Sequence, residues 1–106
     1  MFRVVYDLLL KGLPEEVSCI ARLSEYLSSR GHCVGSQTMF LCSYMDSLVK
    51  LAPQVLKPQY PVYEIPQVGT VRLIIESESQ RSLVEAASEI YGLLRDCNIT
   101  LRLLPE

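Results

Sequence analysis

A helical stripe between two alternating segments is the feature that most constrains how this sequence folds. The stripe consists of apolar residues at helical spacing, namely Leu83, Ala86, Ala87, Ile90, Leu94 and Cys97. Residues 70–76 before it and 99–103 after it alternate apolar with polar side chains, which is typical of strands with one buried face. Residues 70–106 are therefore predicted to form a β-α-β unit.

The start of the chain shows the same arrangement. Apolar residues of one parity stand at Phe2, Val4, Tyr6, Leu8 and Leu10, and this pattern predicts a first strand. Pro14, which two glutamates follow, is typical of a first helical turn, and Gly31 is placed to end that helix in a left-handed cap. Residues 32–44 are rich in strand-forming types, so residues 1–44 are predicted to form the first β-α-β half.

Residues 45–69 connect the two halves. Asp46 is suited to cap a short helix over residues 47–55. Three prolines follow, with Tyr60 and Tyr63 between them, and this density of proline excludes a central strand. We expect an extended linker whose tyrosines pack against the domain or contact a second subunit.

Together these elements predict one α+β domain over residues 1–106, a length typical of a single domain. Two β-α-β units in a small chain are characteristic of the ferredoxin-like, or split βαβ, sandwich. The sheet of that fold has four antiparallel strands, and both helices cover one of its faces. The first, third and last strands are neighbours in this arrangement, so their outward side chains share the open face of the sheet.

The open face is expected to mix arginines with aliphatic side chains. Its candidate interface residues are Val5, Leu9, Arg72, Ile74, Arg102 and Leu104. None of them is aromatic, whereas a sheet that binds RNA needs exposed aromatic rings on which bases stack. Apolar side chains together with arginine are typical of protein interfaces, and the alternative is a solvated face with a few salt bridges. We therefore expect a two-fold dimer with Arg72 near its centre, to which Tyr60 and Tyr63 contribute.

The cysteines and the single histidine do not form a metal-binding pattern. They stand at Cys19, Cys33, Cys42, Cys97 and His32, and zinc sites usually draw ligand pairs from shorter spacings such as C-x2-4-C. If residues 32–44 form one regular strand, Cys33 and Cys42 point to opposite faces of the sheet. We expect free, mostly buried thiols, with no bound metal and no cofactor.

The overall composition limits the classes of function. Apolar residues make up 49% of the chain and the formal net charge is -2, so the protein is globular and carries no general basic field that would hold a polyanion. The first apolar stretch is interrupted by Arg3 and Asp7. No stretch approaches the roughly 20 apolar residues of a membrane-spanning helix. We expect a cytoplasmic protein without a membrane partner.

Asp7 supports an alternative function. The motif Val4-Val5-Tyr6-Asp7 is followed by a predicted helix and then by a strand with Gln37-Thr38-Met39-Phe40. This arrangement resembles the small CRISPR-associated nuclease-like proteins of the adaptation complex and their toxin relatives. The resemblance covers residues 1–40 and implies that Asp7 holds a metal across a dimer. The helix begins with Pro14-Glu15-Glu16 where that family has an arginine-rich start. An aspartate that pairs with an arginine on a neighbouring strand is also ordinary surface chemistry.

These observations favour a non-enzymatic protein-protein interaction or assembly module that self-associates. The sequence holds no phosphate-binding loop, no dinucleotide fingerprint and no nucleophile elbow. A nucleic-acid-associated, metal-dependent nuclease-like protein that uses Asp7 is the alternative. A small-ligand sensor domain is a third class, which only the predicted fold supports.

Overall fold

The computed structural model describes residues 1–11, 13–35, 39–54, 70–97 and 99–104. Along the chain these residues form β1 (Phe2–Leu9), α1 (Pro14–Arg30), β2 (His32–Gly35), β3 (Phe40–Tyr44), β4 (Ser47–Gln54), β5 (Thr70–Ser77), α2 (Gln80–Arg95) and β6 (Thr100–Leu103). The strands form one sheet in the order β2-β3-β4-β5-β1-β6. Each neighbouring pair is antiparallel.

The prediction of a four-stranded ferredoxin-like sheet is wrong, because the described sheet has six strands. Two changes produce the difference. The single strand predicted over residues 32–44 is replaced by two strands, β2 and β3, that pair with each other, and residues 47–54 form β4 where a short helix was predicted. The expected neighbours do meet, since β1 lies between β5 and β6.

A tight turn at Met45 and Asp46 explains why β4 is a strand. Both residues have positive φ angles, 51° and 57°, as in the two-residue turns whose twist matches that of antiparallel strands. The turn brings β4 back along β3, with Tyr44 opposite Ser47. Ser77 secures the turn from the neighbouring strand, because its hydroxyl donates to the Asp46 carbonyl oxygen at 3.0 Å.

The first helix is held at both ends by specific contacts. At its start, the buried Glu16 carboxylate accepts hydrogen bonds from the backbone N–H groups of Lys11 at 2.9 Å and Leu13 at 2.8 Å. At its end, Gly31 is extended, with φ -142°, so the predicted left-handed cap is wrong. Glycine is needed there for another reason, because a Cβ atom would overlap the carbonyl oxygen of Ser43 on β3.

One hydrophobic core joins both helices to the same face of the sheet. Its buried members are Leu8, Cys19, Leu23, Leu27, Cys42, Tyr44, Val49, Leu51, Val71, Leu73, Ile75, Leu83, Ala86, Ile90, Leu94 and Ile99. Its strand residues alternate along each strand, since Val71, Leu73 and Ile75 all come from one side of β5. Both helices therefore cover one face of the sheet, as predicted from the sequence. Neither described helix is long and apolar enough to cross a lipid bilayer.

A chain of polar and aromatic groups links the two helices at the edge of this core. The Tyr44 hydroxyl donates to the Tyr26 hydroxyl at 3.4 Å, which in turn donates to the Glu89 carboxylate at 2.9 Å. The Arg30 guanidinium lies 4.5 Å from the centre of the Tyr26 ring. Burial, together with the hydrogen bond to Tyr26, raises the pKa of Tyr44 to about 12.

Candidate interaction face and disulfides

The face of the sheet opposite the helices is called the open face from here on. The cross-strand register aligns three of its rows, which run across β4, β5 and β1. Their members are Leu48, Glu76 and Arg3 in the first row, Lys50, Ile74 and Val5 in the second, and Ala52, Arg72 and Asp7 in the third. The second row extends to Leu41 on β3 and to Leu104, whose N–H donates to the Val5 carbonyl oxygen at 2.9 Å. This second row, mostly apolar, is called the central row.

Asp7 is the most buried charged group of the open face. Its residue is 2% exposed, and each of its carboxylate oxygens accepts a hydrogen bond from an arginine. Arg72 donates from Nε at 3.0 Å and Arg102 donates from Nη2 at 3.1 Å. The Arg72 hydrogen bond, supported by Arg102, outweighs the opposing effect of burial and holds the pKa of Asp7 below its usual value.

A second ion pair joins the central row to its other flank. Lys50 on β4 donates to the Glu76 carboxylate on β5 at 3.1 Å. Arg3 lies directly across from Glu76 in the register of β1 and β5. The open face therefore has an apolar row between two flanks, and each flank holds both basic and acidic side chains.

The structure brings together most of the residues that the sequence assigned to the interface. Val5 is 7% exposed, while Leu9, Ile74 and Leu104 are half-buried. Arg72 and Arg102 meet at Asp7 within one chain, on three neighbouring strands. The two tyrosines of the predicted linker, Tyr60 and Tyr63, lie outside the described residues.

The contacts of Asp7 bear on the nuclease alternative. A metal ion at this carboxylate would have to displace guanidinium donors from both oxygens. Among the residues that the structure describes, no group of three or more histidine, cysteine, aspartate or glutamate side chains is arranged to hold a metal ion. Asp7 here has the arginine-paired arrangement that the sequence offered as the ordinary explanation.

The prediction of free cysteines is wrong. Cys33 and Cys42 are joined by a disulfide between β2 and β3, with Cα atoms 4.1 Å apart, and Cys19 of α1 is joined to Cys97 just after α2, with Cα atoms 6.1 Å apart. The argument from parity failed because it assumed one continuous strand. The chain reverses between β2 and β3, so that Cys33 lies directly opposite Cys42.

Sequence reasoning missed both pairings, and a signal existed for one of them. Gly35-Ser36 stands between two strand-forming runs and is a turn-forming dipeptide. A hairpin in which Gly35 faces Phe40 places Cys33 directly opposite Cys42. The pairing of Cys19 with Cys97 spans 78 positions and depends on how two helices pack, which local patterns do not encode.

Comparison with solved structures identifies a similar fold. The NMR structure of PA4090 from Pseudomonas aeruginosa matches with a TM-score of 0.62 and 15% sequence identity. The match covers 99% of this chain and 97% of that chain. No protein-family model matches the sequence, and no curated protein matches it. At this identity, the likeness to PA4090 shows a shared fold alone.

Proposed function

We propose that this chain is a non-enzymatic interaction module whose open face binds a second copy of the same chain. The observation that carries the proposal is the order of side chains along the two central strands. On the open face, β1 carries the exposed Arg3 and the buried Val5 and Asp7, and β5 carries the partly exposed Arg72, Ile74 and Glu76. Each strand thus places a basic and an acidic side chain at equal spacing on either side of an apolar one.

This order makes the open face complementary to itself. Because β1 and β5 are antiparallel, Glu76 lies beside Arg3 and Asp7 lies beside Arg72. A two-fold axis that runs along the central row, across the strands, turns each strand end for end. It places Glu76 of one copy over Arg72 of the second copy and Arg3 over Asp7. Two-fold interfaces use the same patch on both subunits, and this patch matches itself in charge and in apolar area.

The proposed dimer stacks the two sheets face to face. Sheets that pack in this way lie about 10 Å apart with their strands roughly aligned, so Ile74 lies close to the axis and meets its own copy. Arg72 remains bound to Asp7, because a guanidinium has several further N–H donors that can reach the second copy. The aliphatic part of its side chain adds apolar contact.

The disulfides bear on where such a dimer works. Disulfides are typical of proteins in oxidising compartments and are rare in the cytoplasm, where they are usually transient, catalytic or redox-sensing. The two disulfides therefore favour an oxidising compartment over the cytoplasmic location that the sequence suggested, unless the bonds exchange. Self-association through the open face does not depend on this choice.

Sedimentation equilibrium across a range of concentrations tests the proposal. We expect the native chain to dimerise and Ile74→Asp to remain monomeric, because the dimer would bury an unpaired carboxylate at a cost of several kcal/mol. The matched control is Val84→Asp, which adds the same charge at an exposed position of α2 and should still dimerise. A native chain that stays monomeric at high micromolar concentration contradicts the proposal.

A cross-linking experiment tests the position of the axis. Because the native cysteines are paired in disulfides, a new cysteine at position 74 is available for a short bismaleimide. We expect Ile74→Cys to give covalent dimers at high yield and Val84→Cys to give almost none. Equal yields from the two variants would place the contact elsewhere.

The nucleic-acid alternative predicts different outcomes for the same preparations. It predicts that nucleic acid copurifies with the native protein, which raises the 260/280 nm absorbance ratio. It also predicts metal-dependent cleavage of RNA or DNA that Asp7→Asn abolishes. Either result, together with a dimer that persists in Ile74→Asp, would favour the nucleic-acid alternative over self-association through the open face.

A further inference from the structure

We infer that the Cys19–Cys97 disulfide exchanges with external thiols, that Cys97 is the sulfur that reacts, and that Cys19 is the resolving partner. The two sulfurs differ in access. Cys19 is 2% exposed inside the core, whereas Cys97 is partly exposed after the end of α2. An incoming thiolate must approach a sulfur directly, so it reaches the partly exposed Cys97 more readily than the buried Cys19.

An arginine contacts the accessible sulfur. Arg22, one turn after Cys19 on α1, donates from Nη2 to the Cys97 Sγ atom at 3.6 Å. Nearby cations stabilise a thiolate and lower its pKa. Cys97 stands at the carboxyl end of α2, where the helix dipole disfavours negative charge, so the guanidinium supplies the stabilisation that the helix end does not.

A small cavity opens at the same place. Its volume is about 130 Å3, and its lining consists of Cys19, Arg22, Leu23, Leu93, Asp96 and Cys97. This volume is several times the roughly 30 Å3 that a water molecule occupies in the liquid, so the cavity has room for the sulfur and methylene group of a small thiol. The accessible sulfur, the arginine and the cavity thus lie together at Cys97.

Atoms and electrons balance in this exchange when a dithiol is the reductant. A thiolate of the dithiol attacks Cys97, the Cys19–Cys97 bond breaks, and Cys19 leaves as a thiolate that takes up a proton. The second thiol of the reductant is then deprotonated and attacks the reductant's other sulfur, which is bound to Cys97 in the mixed disulfide. This step releases Cys97 as a thiolate beside Arg22. Two electrons pass to the protein disulfide, and the dithiol leaves as a disulfide. In the reverse direction, Cys97 attacks an external disulfide and Cys19 resolves the mixed disulfide.

Trapping with a monothiol identifies the sulfur that reacts. The oxidised, folded protein is incubated with excess reduced glutathione, quenched with acid, alkylated and mapped by peptide mass spectrometry. We expect a glutathione adduct on Cys97, an alkylated Cys19 and an intact Cys33–Cys42 bond. An adduct on Cys19, equal opening of the two disulfides, or no adduct while the unfolded protein reacts would each overturn the inference.

The role of Arg22 is tested on the reduced protein through the pH dependence of alkylation at each cysteine. We expect Arg22→Gln to raise the apparent pKa of the Cys97 thiol and to slow its alkylation at pH 7 by about threefold, which corresponds to a shift of roughly half a pKa unit. A purely structural role would change the melting temperature and leave this pH profile unchanged.

The control for this experiment is Arg81→Gln. Arg81 is an exposed arginine in the first turn of α2 that pairs with Glu85, at the other end of the helix from Cys97, so its removal should not change the profile. An Arg22→Gln profile equal to that of the native protein overturns the assignment. Four thiols that react alike in the native reduced chain overturn it as well.

Discussion

The two faces of the sheet differ in the side chains that they bury, although the same strands supply both faces. On the helix side, buried strand residues such as Leu8, Leu73 and Ile75 are at most 1% exposed and belong to one core cluster of apolar, cysteine and tyrosine side chains. On the open face, the buried residues of β1 are Val5 and Asp7, and Asp7 is paired with two arginines. Because side chains alternate along each strand, the helix side of the sheet supplies the hydrophobic core, while the open face carries charged side chains.

Two adjacent isoleucines give the largest test of this difference. Ile75 is fully buried on the helix side, while Ile74 is half-buried on the open face. We expect Ile75→Ala to cost about 2 to 5 kcal/mol of unfolding free energy, because it leaves a cavity in the core. Ile74→Ala should cost less than about 1.5 kcal/mol in dilute protein and should weaken the dimer. Denaturant melts and sedimentation measure the two effects, and equal costs would mean that the two faces are not distinct.

The ion pairs of Asp7 provide the second test. The folded pKa of Asp7 lies below its unfolded value, so the stabilisation is fully present above about pH 4 and is lost as the pH falls through the folded pKa. We expect Asp7→Asn to cost about 1 to 3 kcal/mol at pH 7, since hydrogen bonds to a charged group are the stronger ones. The gap between the two proteins should close in acid.

Denaturant melts between pH 2.5 and pH 7 measure this gap. Glu25→Gln, on an exposed part of α1, is the control and should leave the stability nearly unchanged. A gap for Asp7→Asn that stays constant down to the lowest pH would show that the charge of Asp7 adds nothing to the stability of the open face.

Gly92 provides the smallest test, on the outer side of the helix layer. It lies within α2, and a Cβ atom there would have no heavy atom within 4 Å apart from its neighbours and the nearby backbone of its own helix. Alanine should therefore stabilise the chain by about 0.5 to 1 kcal/mol through its higher helix propensity. Dimerisation should be unchanged. A loss of the dimer in Gly92→Ala would indicate that the interface lies on the helices and not on the open face.

Residues 70–103 could be predicted from the sequence because their patterns are regular. The apolar stripe of α2 and the alternation in β5 each have one buried side, so the period identifies the element. The neighbouring positions of β1, β5 and β6 follow from how β-α-β units connect. The open face followed in turn, because strand parity assigns each side chain to one face.

Residues 32–54 could not be predicted in the same way. In β4, the buried Val49 and Leu51 alternate with Leu48 and Ala52, which are half-buried on the open face. Apolar residues of both parities gave no strand period and imitated helical spacing. The turn before β4 consists of Met45 and Asp46, without the glycine that usually marks a hairpin. The Cys33–Cys42 pairing depends on the register of the hairpin that β2 and β3 form, so it was missed together with that hairpin.

The two disulfides also decide how the chain responds to a backbone break. The Cys33–Cys42 bond lies within the segment that the Cys19–Cys97 bond encloses, so the two covalent loops are nested. A protease that cuts once between Cys42 and Cys97 produces two fragments that remain one molecule. On a non-reducing gel such a nicked protein runs as a single species, and it separates into two only after Cys19 and Cys97 part. A single band without reductant is therefore no proof of an intact backbone.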